Sequence, residues 1–198
     1  MIEVEQKFIL SEDDIKCLTT DAVFISEKTF TDVYYDTAEY ALTKNDMWLR
    51  KRGEGFDLKL PMREVKDSLA QQYQEIEGED KIREIFGIPR MNDFEMDIKA
   101  LGYDVFCVCT TTRKKFNKEG FGIDIDAVEY GDFSYNIAEI ELMVNEKEEI
   151  SEATEKIKTF AKKNKLKIEN VRGKVLEYLL RKKPEHYNAL VKAGVVVE

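Results

Sequence analysis

Apolar and polar residues alternate along much of the chain in short runs. Successive side chains of a strand point to opposite faces of a sheet, so these runs predict β-strands. The predicted strands cover residues 2–10, 23–35, 47–52, 56–61, 71–76, 103–115, 120–128 and 135–145. Glycine-containing tripeptides at 53–55 and 118–120 separate neighbouring runs and predict hairpin turns, which are typical of antiparallel strands.

A helical period of apolar residues appears between and after these strands. Ser11 followed by acidic residues predicts the N-cap of a short helix through about Leu18. Further helices are predicted at 80–86, 93–101, Ser151–Lys165 and Arg172–Lys182. Consecutive strands with segregated helices predict an α+β fold, and the length suits one domain spanning residues 1–198.

Charged residues occupy one complete face of several predicted strands. In the first strand, Glu3, Glu5 and Lys7 share a face, and the opposite face carries Val4 and Phe8. The same parity groups Trp48 with Arg50 and Arg52, Asp57 with Lys59, Asp124 with Asp126, and Glu139 with Glu141.

For any single strand, a solvent-facing side of an ordinary sheet explains this alternation. Across five strands the charges are sorted, with acidic pairs on some strands and basic pairs on others, and solubility requires no such sorting. Paired carboxylates repel unless a cation bridges them, which predicts a site for Mg²⁺, since Mg²⁺ takes hard oxygen ligands and shares them with phosphates. Closing the sheet would enclose this charged face, so we expect an eight-stranded antiparallel β-barrel with flanking helices.

Overall charge and the scarcity of histidine and cysteine narrow the chemistry. The net charge of -9 disfavours nucleic acids and anionic membranes as partners and favours a small molecule held by local basic residues. A single histidine and three cysteines argue against histidine metal sites, catalytic triads and a disulfide framework. No apolar run is long enough to span a membrane and the N-terminal segment is unlike a signal peptide, so a cytoplasmic protein is expected. The sequence does not fix the oligomeric state, and a monomer is the working expectation.

Short motifs place the chain close to a known family. Glu3-Val4-Glu5-Gln6-Lys7 resembles the ExExK signature of the CYTH superfamily, the triphosphate tunnel metalloenzymes. The same family order is followed by the segment 48–52, Leu58-Lys59, Arg113, Glu139-Ile140-Glu141 and Lys174. The segments 34–37 and 181–187 are most similar to the thiamine triphosphatase branch of that superfamily.

The resemblance implies an eight-stranded tunnel in which one or two Mg²⁺ ions assist hydrolysis of thiamine triphosphate to thiamine diphosphate and phosphate. The implied metal ligands are Glu3, Glu5, Glu139, Glu141 and an aspartate from the 124–126 strand, where we prefer Asp124 although parity also permits Asp126. The implied substrate-binding residues are Lys7, Arg50, Arg52, Lys59, Arg113 and Lys174. Lys59 and Tyr34 are the implied acid/base pair.

Two questions stay open on the sequence alone. Trp48 could stack on the cationic thiazolium ring near the tunnel mouth or could pack in the core. The main alternative function is a general inorganic triphosphatase acting on tripolyphosphate, followed by a non-catalytic polyphosphate- or nucleotide-binding module. An ATP cyclase ranks lower, because nothing in the sequence marks a nucleobase pocket.

Overall fold

The structure, a computed structural model, describes residues 2–62 and 71–196, with the side chains of residues 71 and 72 left aside. Within these ranges the strands are β1 (Ile2–Phe8), β2 (Val23–Asp36), β3 (Trp48–Arg52), β4 (Gly55–Pro61), β5 (Gln71–Glu77), β6 (Asp104–Lys118), β7 (Phe121–Glu129) and β8 (Ser134–Val144). Each one corresponds to a predicted strand, which reflects how strongly the alternating pattern specifies extended backbone.

The strands form a closed barrel in the order β1-β5-β4-β3-β2-β6-β7-β8, and the described pairs are antiparallel. Both predicted hairpin turns are present. Arg52 pairs with Gly55 around a turn that contains Gly53 at a φ of 58°. Lys118 pairs with Phe121 around Glu119 and Gly120, which both have positive φ. The predicted α+β class with a closed eight-stranded antiparallel barrel is therefore confirmed.

The α-helices in the described ranges are α1 (Glu12–Thr19), α2 (Glu79–Phe86), α3 (Phe94–Ala100), α4 (Ile150–Lys163), α5 (Lys174–Lys182) and α6 (Pro184–Lys192). Ser11 caps α1 as predicted, because its side chain accepts from the backbone N–H of Asp14. The sequence did not predict α6. Pro184 ends the preceding helix but also occupies the first turn of the next, a position proline favours. None of these helices has the length and apolar content to cross a membrane.

Contacts group the chain into two compact units. Unit 1 comprises Met1–Thr29, Met62–Gln74 and Thr110–Lys174. Its core joins the apolar strand face, with Val4 and Ile140, to Ile157 and Phe160 of α4. Because α4 covers this face, the charged side chains of β1, β7 and β8 lie on the opposite face.

Unit 2 comprises Phe30–Pro61, Glu75–Cys109 and Val175–Glu198. Its core packs Leu49 and Leu58 of the strands against Ile82 of α2 and Ile98 of α3. The apolar faces of β3 and β4 are thus buried under α2 and α3, which again leaves the charged residues of these strands on the other side.

A buried polar chain anchors α6 within unit 2. Asp36 accepts hydrogen bonds from the backbone N–H groups of Leu42 and Thr43 and from the Thr43 hydroxyl. Thr43 Oγ1 lies 2.7 Å from His186 Nε2, and the Tyr40 ring stacks on the imidazole at 3.8 Å between centroids. His186 therefore has a structural role in holding α6.

Candidate functional site

Unit 1 gathers five carboxylates on the charged face of three neighbouring strands. The pairing register sets Glu5 opposite Glu141, and Asp124 opposite Glu139. We call this group the carboxylate cluster; it comprises Glu5, Asp124, Asp126, Glu139 and Glu141. Asp124 is fully buried, and Glu5 and Asp126 are nearly so. The structure therefore brings together most of the metal ligands that the sequence implied.

Arg113 of β6 holds three members of the carboxylate cluster. Its Nε and Nη2 atoms bind the two oxygens of Asp126 at 2.7 and 2.6 Å. Nη1 donates to Asp124 Oδ2 at 2.5 Å, and Nη2 also reaches Glu139 Oε2 at 3.0 Å. Burial alone would lower the pKa of Arg113. The hydrogen bond to Asp126 and the neighbouring acidic charges raise this pKa by a larger amount, so the guanidinium stays charged.

Two lysines also pair with the carboxylate cluster. Lys7 forms an ion pair with Glu5 and lies 3.6 Å from Glu139 Oε1. Lys115 Nζ lies 2.7 Å from Glu141 Oε1 and 3.5 Å from Asp124 Oδ1. Sequence reasoning missed Lys115, although it follows Arg113 by two residues and therefore shares its strand face.

The two candidate aspartates differ in how their oxygens are used. Both oxygens of Asp126 accept from the fork of Arg113. Asp124 Oδ1, in contrast, is buried and has no hydrogen-bond partner among residues 2–62 and 71–196. Burial raises the pKa of Asp124 to about 6 against the opposing charge of Arg113. A buried oxygen of this kind favours a further cation nearby.

The chemistry of the carboxylate cluster fits a hard divalent cation. The cluster concentrates five carboxylates on one strand face, beside Lys7, Arg113 and Lys115. Carboxylate oxygens are the ligands that Mg²⁺ prefers. In the arrangement seen here, no three His, Cys, Asp or Glu side chains of the described ranges converge on a common metal position. The donor set is chemically suited to a metal, although the described side chains do not form a metal site in this arrangement.

Unit 2 contains a second charged group, which we call the arginine cluster: Arg50 and Arg52 with their partners Asp32, Asp57 and Glu75. Arg52 binds Asp32 through Nε and Nη2 at 2.6 and 2.8 Å. Arg50 donates to Asp57 at 3.1 Å and to Glu75 at 2.8 Å. These acids fix the direction of the guanidinium groups, and none of the three was among the predicted site residues.

Tyr34 lies directly across the ladder from Arg50. Burial raises the pKa of Tyr34 well above its usual value of 10, and the charge of Asp32 raises it further. The phenol therefore stays neutral through the physiological range and can donate a hydrogen bond.

The remaining predicted residues occupy strand ends and helix starts. Trp48 is half-buried and donates from Nε1 to Asp46 Oδ1 at 2.8 Å. Lys59 pairs with Trp48 across β3 and β4. Glu3 is half-buried on β1, opposite Met143. Lys174 begins α5, and its carbonyl accepts from the Tyr130 hydroxyl at 2.7 Å.

Comparison with known proteins identifies the family. A family model described as "CYTH domain" matches residues 1–172, so the chain belongs to the CYTH family, as its motifs indicated. Thiamine-triphosphatases of Macaca fascicularis and Homo sapiens are 28% identical over 209 residues, which cover 98% of this chain and 91% of each relative. The family, the fold and the relatives together identify the chain as a hydrolase of phosphoanhydrides.

Solved structures with the same fold include a protein of Pyrococcus horikoshii OT3, with a TM-score of 0.62 and 24% identity. That match covers 91% of this chain and 99% of the archaeal one. A Hippeastrum protein described with a dominant triphosphatase activity has a TM-score of 0.57 and 17% identity, over 91% of this chain and 94% of its own. Both likenesses support the fold.

Proposed function

We propose that the chain hydrolyses the terminal phosphoanhydride of thiamine triphosphate, with Mg²⁺, to give thiamine diphosphate and phosphate. The observation that supports this most is the carboxylate cluster, which gathers five carboxylates on one largely buried strand face and leaves Asp124 Oδ1 without a hydrogen-bond partner in the described part of the chain. Excess buried negative charge is costly unless a cation joins it.

The metal-binding role falls to Glu5, Asp124, Glu139 and Glu141, with Glu3 contributing from the outer end of the same strand face. We prefer Asp124 over Asp126 as a metal ligand, because both oxygens of Asp126 already accept hydrogen bonds from Arg113. When bound, Mg²⁺ would neutralise phosphate oxygens and orient the attacking water.

The phosphate-binding role falls to the arginines and lysines. Arg50, Arg52 and Arg113 would bind phosphate oxygens through their guanidinium groups, as the family resemblance implies, while the strand acids fix the direction of these groups. Lys7, Lys59 and Lys174 would add positive charge, as the family resemblance implies. Hydrolysis of a phosphoanhydride depends mainly on such positioning and neutralisation.

Proton transfer is assigned to Lys59 and Tyr34. The raised pKa of Tyr34 suits a neutral donor to a phosphate or water oxygen. Lys59 would act as the base, as the family resemblance implies, and an alkaline activity optimum is expected because a lysine amine loses its proton at alkaline pH.

The thiamine moiety is assigned to Trp48. Trp48 is half-buried on the same strand face as Arg50 and Arg52, and an aromatic face attracts a cationic thiazolium. The thiamine-triphosphatase relatives support this choice of substrate.

Parallel kinetics with thiamine triphosphate and tripolyphosphate, each across a Mg²⁺ titration, test the proposal. We expect a higher kcat/KM for thiamine triphosphate, and Trp48→Ala should raise KM for that substrate alone, because tripolyphosphate has no ring. Equal efficiency on both would favour the general triphosphatase instead. Absence of phosphate release from either would leave a binding module.

A further inference from the structure

An ion pair in unit 1 spans three strands. Lys115 lies on β6 and Glu141 on β8, and β7 runs between them. Second-neighbour strands are about 9.5 Å apart, so the two side chains must both extend over the β7 backbone to meet. Their Nζ and Oε1 atoms nevertheless lie 2.7 Å apart.

Gly122 of β7 makes this crossing possible. It is the register partner of Glu141, and a Cβ at this position would lie 2.6 Å from Glu141 Oε1 and 2.7 Å from its Cγ. The φ of Gly122 lies outside the left-handed region, so backbone conformation does not require glycine here. The space above Gly122 is needed for the Glu141 side chain.

Lys115 also approaches a second acid. Its Nζ is 3.5 Å from Asp124 Oδ1, the buried oxygen that lacks a hydrogen-bond partner in the described part of the chain. The ammonium therefore lies beside oxygens of Glu141 and Asp124, two acids to which the proposed function gives a metal-binding role. The Lys115 side chain is 38% exposed, whereas Glu141 is 14% and Asp124 0% exposed. The lysine can withdraw towards solvent while the acids remain in place.

We propose that Lys115 is a tethered counter-ion of the carboxylate cluster, which leaves Glu141 and Asp124 when a divalent cation binds. The inference rests on the proposed function, because it assumes that these acids bind metal. A cation and the ammonium then compete for the same oxygens, so the lysine weakens cation binding and balances the acids when no cation is bound.

Substitution of Lys115 separates this role from a general effect of charge. Lys115→Met keeps an unbranched side chain of similar length and removes the ammonium. Lys114→Met makes the same change on the exposed opposite face of β6 and serves as the control. Mg²⁺ binding to each full-length protein is measured by calorimetry at low ionic strength, without any triphosphate. We expect Lys115→Met to bind Mg²⁺ about tenfold more tightly than the unmodified chain, as removal of one adjacent like charge predicts. Lys114→Met should bind it unchanged.

Unchanged or weaker Mg²⁺ binding by Lys115→Met would overturn the inference. An equal gain of Mg²⁺ affinity in both variants would also overturn it, as would the absence of Mg²⁺ binding in all three proteins. If Lys115→Met does not fold by circular dichroism, Lys115→Gln replaces it, with the same expectations. Phosphate release from thiamine triphosphate is measured in parallel. Release by the unmodified chain with no tightening in Lys115→Met refutes the tethered counter-ion alone, whereas tightening without release refutes the proposed function alone.

Discussion

Arg52 and Asp32 form a two-point ion pair between directly opposed residues of β3 and β2, with Nε–Oδ1 and Nη2–Oδ2 distances of 2.6 and 2.8 Å. Asp32 is fully buried, and the Arg52 guanidinium also lies over the Phe30 ring at 3.8 Å from its centroid. An arginine held in this way keeps its direction before a ligand arrives, which reduces the entropy lost on binding.

Asp32→Asn should therefore weaken triphosphate binding. The amide keeps one acceptor oxygen and replaces the other oxygen with an NH2 donor that faces the donors of the guanidinium. We therefore expect the KM for the triphosphate to rise about tenfold and the free energy of unfolding to fall by about 1–3 kcal/mol. Steady-state kinetics and thermal unfolding measure the two effects. Glu54→Gln, in the exposed turn after β3, is the matched control, and a KM equal to that of the control would argue against a positioning role.

Loss of single carboxylates tests the metal assignment. Glu5→Gln and Glu141→Gln should each reduce Mg²⁺-dependent phosphate release by about a hundredfold or more, because the neutral amide is a poor ligand for a hard cation. The fold should be retained by circular dichroism. Glu27→Gln, exposed on β2, provides the control, and near-normal turnover in either cluster variant would contradict the assignment.

Gly122→Ala tests whether the position of Glu141 matters. The added methyl would overlap Glu141, so we expect turnover to fall about tenfold and the Mg²⁺ concentration for half-maximal activity to rise. Gly55→Ala on β4 adds the same methyl where the nearest atom in the described ranges, Arg52 O, is 3.7 Å away. Equal activity of the two variants would show that Glu141 tolerates displacement.

His186 predicts a pH dependence of stability. Burial lowers the pKa of His186 to about 4 from 6.5, because protonation of the unpartnered Nδ1 would place a charged N–H where the described residues offer no acceptor. At a pH between these two pKa values, the imidazole is protonated in the unfolded chain but neutral in the folded chain. Stability should fall as pH drops from 6.5 towards 4, by at most about 3 kcal/mol from this group.

Because the chain has one histidine, its imidazole signal can be followed by NMR without ambiguity. The midpoint should lie near 4, and His186→Gln should flatten the pH dependence of unfolding relative to the unmodified chain. A midpoint near 6.5 would show that the imidazole reaches solvent in the folded state.

The strands and much of the candidate site could be predicted from the sequence. Alternation is local, so the parity of Glu3, Glu5 and Lys7 already assigned them to one face. The helix after Pro184 was missed, because proline marks a helix end and a helix start with the same residue.

The sequence by itself determined the strands and the charged faces, since each depends on residue order within a segment, and the resemblance to the CYTH family, which depends on the order of short motifs along the chain. Only the tertiary structure decided that Asp126 binds Arg113 through both oxygens, that Asp124 Oδ1 has no hydrogen-bond partner in the described ranges, and that Lys115 reaches Glu141 over Gly122. Strand parity gives the face of a side chain but not its neighbours. Those neighbours are set by the register between strands far apart in sequence, and by which side chains are short enough to leave room.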